Sequence, residues 1–451
     1  MLIMKFGGST IMNMDAIRNM IQIVRDNIKK QPVLVVSAIG KTTRKLLEAV
    51  QLASEGQLDE SKKKLRAIQD FHLNLVRDLV PENNDDVIEN LDIYFDAMDK
   101  LLEGVSVLRE LSPRTQDHFL AYGELISSRI VVSAFADQKI TAGWTDARQM
   151  IITNDFFTEA EILLEESFTR IQSVINPLLQ SGKIPVVQGF IGSTENGYTT
   201  TLGFEGSDLT ASILGAALKA EHIEIWKNVP GIMTADPAVC RSAMTLETLS
   251  YNEVAELTFF GAKVLHSQAI YPALRMNIPL SICDFTNKAG QGTRIVMEAE
   301  NTGVSVRSIA SKKQMSLICL SPLVKEDTVS FMQKVAEVFQ RTRAKLYILQ
   351  TAGNALSVIV DNNYNVDALS SHLKSFSSIN INRNLGTVSI IGENIGSETE
   401  LPFQIACALK NFPIELISFG TSSCSITLLV QEDLVDQIVN LLHHYFFKTE
   451  N

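Results

Sequence analysis

Cysteine is scarce and scattered. Cys240, Cys283, Cys319, Cys407 and Cys424 are odd in number and show no CxxC spacing, which argues against a disulfide framework or a Cys-rich zinc site and fits a reducing cytoplasm. The seven histidines show no metal-ligand spacing either, so no protein-held metal is expected. No window offers the roughly 18 uninterrupted apolar residues that a spanning helix needs. The first residues, MLIMKFGGST, run into a glycine turn without an apolar stretch of signal-peptide length; neither a leader nor a membrane partner is expected. Positive charge is in deficit, with 40 Lys and Arg against 51 Asp and Glu. The chain therefore lacks the basic surface that nonspecific nucleic-acid binding requires, and no nucleic-acid partner is expected. A Walker loop, GxxxxGK[ST], is also missing: Gly40-Lys41-Thr42-Thr43 resembles its tail without the first glycine. What remains is the balance of a globular enzyme, 45% hydrophobic and 20% charged, in a chain long enough for two or three domains.

Up to about residue 296, short apolar runs alternate with helical segments. Residues 1–6, VLVVSA from Val33, IPVVQGFIG from Ile184, IEIW from Ile223 and IPLSIC from Ile278 read as buried strands, with amphipathic stretches such as Met14–Lys29 and Leu209–Ala220 between them. Continuous apolar strands separated by helices predict a mostly parallel sheet covered on both faces. Residues 45–110 interrupt the alternation with a charged, heptad-like helical insertion. Residues 286–303 read as a boundary, where Gly, Asn and charge replace the apolar runs. Beyond it, the order strand, helix, strand, strand occurs twice over units of about 65–75 residues, which predicts an internal duplication. That half has no glycine-rich phosphate loop and no His/Cys cluster, and reads as a sensing or pairing module.

Six segments carry chemistry. Lys5-Phe6-Gly7-Gly8-Ser9-Thr10 follows a strand: two glycines let backbone N–H groups approach an anionic oxygen, and a strand-edge lysine can neutralise a phosphoryl group in transit. The same residues also suit a plain strand–turn–helix. Ser37–Thr43 lies where another buried strand ends, the place where open α/β sheets bind ligands; a polar cap is the plainer reading. Thr199–Asp208 reads as a glycine-flanked Ser-Asp at a helix start, which is also a natural N-cap. Trp226–Pro237 is a strand end followed by two turns, Phe260–His266 is a further glycine turn, and Glu124 in Ala-Tyr-Gly-Glu reads as a carboxylate opening a helix.

In this order and spacing, KFGGS, the SAxGKTT turn, the YGE helix, GFIGS…TTTLGxxGSD, the IW..VPGI.T.DP turn and FGAKVLH resemble the aspartate kinases, over essentially the whole chain. The resemblance implies an amino-acid kinase fold, a three-layer α/β/α sandwich, over residues 1–296 with a helical insertion at about 45–130, followed by two ferredoxin-like ACT domains at 303–385 and 386–451. It implies transfer of the γ-phosphoryl of ATP to the side-chain carboxylate of L-aspartate, toward lysine, threonine and methionine, by a cytoplasmic homodimer or higher homo-oligomer with an amino-acid effector at the ACT domains. Lys5 and Asp208 would be catalytic. Gly7, Gly8, Ser9, Lys227, Asn228, Met233, Asp236 and Lys263 would bind ATP, and Ser37, Thr42, Glu124 and Ser207 would bind aspartate. Mg2+ would ride in on ATP rather than in a protein cage. With no dinucleotide-binding domain after residue 451, the fused kinase–homoserine dehydrogenase is not expected.

The sequence also departs from the family pattern. Phe204 stands where many members have a carboxylate-clamping arginine; losing a charge-assisted pair costs about 1.5–3 kcal/mol, and an apolar ring is no substitute for a bidentate fork. Asn228 replaces a carboxylate, Met233 an aromatic residue, and Ala238 a frequent basic residue. Gln350–Asn354 lacks the acid of a lysine-sensing run. Phe204 and Asn228 leave open a catalytically weakened, amino-acid-binding regulatory relative; a related kinase of another acidic substrate, such as glutamate or acetylglutamate, is the further alternative.

Overall fold

The computed structural model describes every residue except 83, 204, 263, 266, 288, 289, 291, 300–305, 363, 364 and 448–451. The chain divides into two compact units. One comprises Met1–Ile232, Glu247–Tyr251 and Leu265–Ala299, the other Met233–Leu246, Asn252–Val264 and Glu300–Asn451.

The first unit opens with β1 (Leu2–Phe6), α1 (Met14–Asp26), β2 (Pro32–Val36) and four consecutive helices: α2 (Thr42–Ser54), α3 (Leu58–Leu79), α4 (Asp85–Leu108) and α5 (Pro113–Asp137). It continues through β3 (Ala142–Trp144), β4 (Ile152–Thr153), α6 (Leu164–Gln180), β5 (Ile184–Gln188), β6 (Ile191–Thr194) and β7 (Thr199–Thr201). Then follow α7 (Gly206–Leu218), β8 (His222–Lys227), β9 (Thr248–Ser250), α8 (Tyr251–Phe259), which from Asn252 on belongs to the second unit, α9 (Ile270–Arg275), β10 (Leu280–Asp284) and β11 (Thr293–Val296). Eight strands make one sheet in the order β3-β5-β2-β1-β8-β10-β11-β9, parallel except where β11 runs against β10. The apolar runs do become its central strands, since buried parallel strands leave no polar face. Side chains alternate across β1. Leu2, Met4 and Phe6 enter an apolar core with α1 and the four-helix region, whereas Ile3 lies on the α7 side, 3.7 Å from where a side chain on Gly215 would begin. By the same alternation Lys5 faces α7. Of the described helices, α5 is long and apolar enough to cross a membrane, but most of it is buried inside this unit.

In the second unit β12 (Ser308–Pro322), α10 (Thr328–Thr342), β13 (Leu346–Ala352), β14 (Ala355–Asp361), α11 (Val366–Leu373) and β15 (Ser377–Ile391) precede α12 (Leu401–Ala408), β16 (Leu416–Ser418), β17 (Ser425–Gln431) and α13 (Val435–Phe446). The duplication is present, but its halves are not laid end to end. β12 and β15 are 15-residue strands that pair along their length in a single antiparallel sheet, β13-β14-β12-β15-β17-β16. The far half of β12 packs with α10 and α11 through Ile318 and Leu320. Its near end, with Ile309, and Val306 just before it pack instead with Val388, Ile438 and Leu442 of the second repeat. A cut at 385/386 therefore divides a shared sheet. A boundary near 296 also misses Met233–Leu246, whose Ala235 and Cys240 are buried in that second-repeat core. Both differences have one cause: long-range pairing and burial, which no local composition shift records.

Candidate active site

Because β1, β2, β5 and β8 are parallel and in register, their carboxyl ends open side by side: Phe6 lies opposite both Val36 and Trp226, and Val36 opposite Gln188. The loops after β1 and β2 close on each other. Gly40 N–H donates to Gly8 O at 2.9 Å, and a Cβ on Gly8 would lie 2.5 Å from Ala38 O. The glycine at position 8 is thus required by loop packing. At Gly7 the neighbour is a lysine: a Cβ there would stand 3.5 Å from Lys5 Nζ. Ser9 is exposed, and its carbonyl accepts a hydrogen bond from Asn228 Nδ2 at 3.2 Å.

The first turn of α7 enters this opening. All its residues are buried, and Gly189 makes room for it: a Cβ there would sit 2.4 Å from Ser207 Cβ. Ser207 and Asp208 are helical residues, not caps; Glu205 precedes the helix in the left-handed region, at φ 61°, without a side-chain cap. Ser37 Oγ donates to Ser207 Oγ at 3.0 Å, and Ser127 Oγ donates to Ser37 O at 2.6 Å, so α5, the β2 loop and α7 are tied together. Asp208 is fully buried between two ammonium groups, Lys5 at 2.6 Å and Lys227 at 3.0 Å. Burial pushes its carboxyl up, but Lys227 and Lys5 overcome that and hold it at about 2. Burial likewise pulls Lys227 down, but the Asp208 and Glu205 carboxylates carry it above the ordinary lysine value. Two lysine ammonium groups converge on one buried carboxylate at the start of α7, where Gly206 N–H and Asp208 N–H already donate to Gly203 O and Glu205 O. The paired ammonium groups make this a place suited to an anionic group.

Glu124 lies on the other side of this opening and, contrary to expectation, in the middle of α5. Gly123 eases its reach: a Cβ there would lie 3.3 Å from both Ala38 Cβ and Leu46 Cδ1, tighter than an ordinary contact, so glycine favours this close approach of α5 to the β2 loop. Glu124 is 3% exposed. Its Oε1 is 3.4 Å from the Thr43 hydroxyl, and Oε2 completes no hydrogen bond among the described residues. Burial raises its carboxyl to about 8, against the pull of the Lys5 ammonium, the Thr43 hydroxyl and the Ala38 N–H. A buried carboxyl with an unengaged oxygen is a receptor for a cationic or hydrogen-bond-donating group.

Lys5, Gly7, Gly8, Ser9, Ser37, Glu124, Ser207, Asp208, Lys227 and Asn228 are thus gathered at one sheet edge. Thr42 is not aligned with them in the expected way. Buried at the start of α2, it donates to Ile39 O at 2.7 Å and lies 3.4 Å from His72 Nε2; the adjacent Thr43 is the residue whose hydroxyl lies 3.4 Å from Glu124 Oε1. Met233 and Asp236 belong to the second unit, where Met233 O accepts from Ser308 Oγ and Asp236 Oδ1 accepts from Ala238 N–H. Lys263 and Phe204 lie outside the described residues. Residues not singled out from sequence also contribute. Gln188 Nε2 donates to Ser128 Oγ at 2.6 Å and its Oε1 accepts from Ala147 N–H, which locks α5 to β5. The signal available for these was their position next to strand ends. Among the described residues no group of three His, Cys, Asp or Glu could hold a metal ion.

A family model described as the amino acid kinase family matches residues 1–284. The chain belongs to the amino acid kinase family. Across 99% of its length it is 29% identical to aspartokinase 1, chloroplastic, of Arabidopsis thaliana, covering 80% of that relative. It is 28% identical to lysine-sensitive aspartokinase 3 of Escherichia coli (strain K12), covering 99% of both. Among solved structures, E. coli aspartokinase III in complex with aspartate and ADP (R-state) superposes with a TM-score of 0.90 at 27% identity over 99% of this chain and 100% of that one. The same enzyme with lysine and aspartate (T-state) gives 0.78. The architecture is therefore the amino acid kinase α/β/α fold followed by a ferredoxin-like, ACT-type C-terminal region.

Proposed function

We infer that this chain is an aspartate kinase: the β-carboxylate of L-aspartate attacks the γ-phosphorus of ATP, the bond to the β,γ-bridging oxygen breaks, and 4-phospho-L-aspartate and ADP result. The observation that carries this reading is the buried Lys5–Asp208–Lys227 cluster at the strand ends. A carboxylate is already ionised at neutral pH, so no base is needed to create the nucleophile. The difficulty is to bring two anions together, which makes catalysis a matter of position and charge neutralisation. Lys5, with its partner Lys227, supports the negative charge of the transferring phosphoryl group. Asp208, held ionised by both lysines, fixes the two ammonium groups and is too weak a base to compete for protons. Gly7, Gly8 and Ser9 lie along the phosphates, and Lys227, Asn228, Met233, Asp236 and Lys263 are assigned to the nucleotide by family likeness. Glu124 receives the α-ammonium of aspartate, with Thr43, Ser37 and Ser207 around it; Thr42 supports the turn. Mg2+ would arrive with ATP and shield its phosphates.

By the same likeness we assign the chain to the cytoplasm and to the aspartate route to lysine, threonine and methionine. The second unit is assigned a pair of ACT-type effector modules, and the chain a homodimeric or higher assembly. The test is ADP release from ATP by purified protein with aspartate present or absent, repeated with glutamate and with lysine, threonine or methionine added singly. Turnover only with aspartate is expected. ATP turnover with glutamate alone, or none with either, would end this reading.

A further inference from the structure

The stretch Met233–Leu246 follows β8 within six residues, yet it folds as part of the second unit. It is a short strap closed on itself: Thr234 N–H donates to Met244 O at 2.8 Å, and Met244 N–H donates to Thr234 Oγ1 at 2.9 Å. Ile309 N–H donates to Thr234 O at 2.8 Å, so the strap also borders the start of β12. Ala235 and Cys240 sink into the core under α13. One polar side chain joins both arms of the strap to that helix. His443 is 2% exposed, with Nε2 2.8 Å from Thr234 Oγ1 and Nδ1 3.3 Å from Ser242 Oγ. Thr234 Oγ1 already accepts from Met244 N–H, so the arrangement that satisfies every group has the threonine hydroxyl donating to Nε2 and Nδ1–H donating to Ser242. Asn440, one turn earlier on α13, donates to Val239 O at 3.0 Å. Burial holds His443 below the ordinary histidine value, in agreement with a neutral ring that donates at one nitrogen and accepts at the other.

We propose that His443 is a positioning residue for nucleotide binding: it fixes the strap that carries Met233 and Asp236, and does so from the last helix of the C-terminal repeat. The inference rests on the assignment of Met233 and Asp236 to the nucleotide. The link to the Lys5–Asp208–Lys227 cluster is the covalent one, through residues 228–232, so a strap released from α13 loosens the chain that follows Lys227.

The test separates binding of the two substrates in the full-length protein. His443→Ala is expected to raise the KM for ATP about three- to tenfold, the weight of one or two buried hydrogen bonds, while kcat and the KM for aspartate stay within about twofold. His443→Gln, which keeps an acceptor and a donor, should recover much of the loss. Where His443→Ala does not fold, Thr234→Val removes the same hydrogen bond from the strap side and must show the same split. As a control for mere loss of stability, Val439→Ala should lower the melting temperature without moving the KM for ATP. If His443→Ala and Thr234→Val leave that KM within twofold while Met233→Ala or Asp236→Ala raises it, the positioning role is wrong and the assignment stands. If none of the four moves it, the assignment falls and the role of His443 with it.

Discussion

Asp208 and Glu124 are both carboxylates, both almost wholly buried, and both at the same sheet edge, yet they are driven in opposite directions. Asp208, at the first turn of α7, has a lysine on each oxygen and stays ionised down to about pH 2. Glu124, in the middle of α5, has one hydroxyl at 3.4 Å and an oxygen without a partner, and holds its proton up to about pH 8. Burial acts on both in the same sense; the number of cations within contact decides the outcome. The contrast is the ground for the roles proposed for the two: a carboxylate already neutralised suits a scaffold for two ammonium groups, and one left unengaged suits a receptor for a cation.

Removing the satisfied member should do the most damage. Asp208→Asn leaves two buried ammonium groups facing an amide, and unfolding in urea at pH 7 should show a loss of about 3–5 kcal/mol, with activity abolished. A variant as stable as the parent would mean that the lysines find other partners. Lys5→Ala should lower kcat by about 10²–10³ with a modest effect on melting temperature, because Lys227 still holds Asp208. A near-normal rate would remove Lys5 from the chemistry.

Glu124→Gln should raise the KM for aspartate about tenfold or more through loss of a charge-assisted pair, with the KM for ATP little changed. The same variant sharpens the pH comparison. The folded state keeps the Glu124 proton that the unfolded chain loses above about 4.5, so this residue makes stability fall as pH rises from there to about 8. Asp208 behaves oppositely: its contribution is present above about 3.8 and disappears as pH falls toward 2. Melting temperature followed from pH 5 to 9 should therefore decline less steeply in Glu124→Gln than in the parent. Parallel curves would place the Glu124 proton elsewhere. Binding of aspartate to the parent at pH 7 should also release a proton, read as a dependence of the calorimetric heat on buffer ionisation enthalpy. The smallest effect is expected for Ser37→Ala, which breaks one link between the β2 loop and α7 and should cost about 0.5–1.5 kcal/mol.

Much of this site is legible in the sequence. Apolar runs ending in glycine or hydroxyl residues marked the strand ends, and parallel strands place their carboxyl ends together whatever the details of packing. The motif points to Glu124 without placing it inside α5: nothing local distinguishes a glycine that opens a helix from one that lets a helix interior approach a loop. Thr42 and Thr43 are adjacent and chemically alike, and only their orientation at the start of α2 tells which one faces Glu124. In the second unit the positive φ of Gln314 and of Asn384, at 61° and 58°, falls among polar residues that interrupt the alternation of β12 and β15. Each long strand therefore reads as a shorter one.

The sequence by itself determined the kinds of element, the repeat in the C-terminal half, and the residue types that meet at the strand ends, because these follow from periodicity and from groups a few positions apart. Tertiary structure alone decided which charges become partners, which carboxyl stays neutral, and which unit owns the strap at Met233–Leu246. Those outcomes depend on burial and on contacts between positions some two hundred residues apart, such as Lys5 with Asp208 and Thr234 with His443, where the energies of desolvation and pairing are set by neighbours that local sequence does not name.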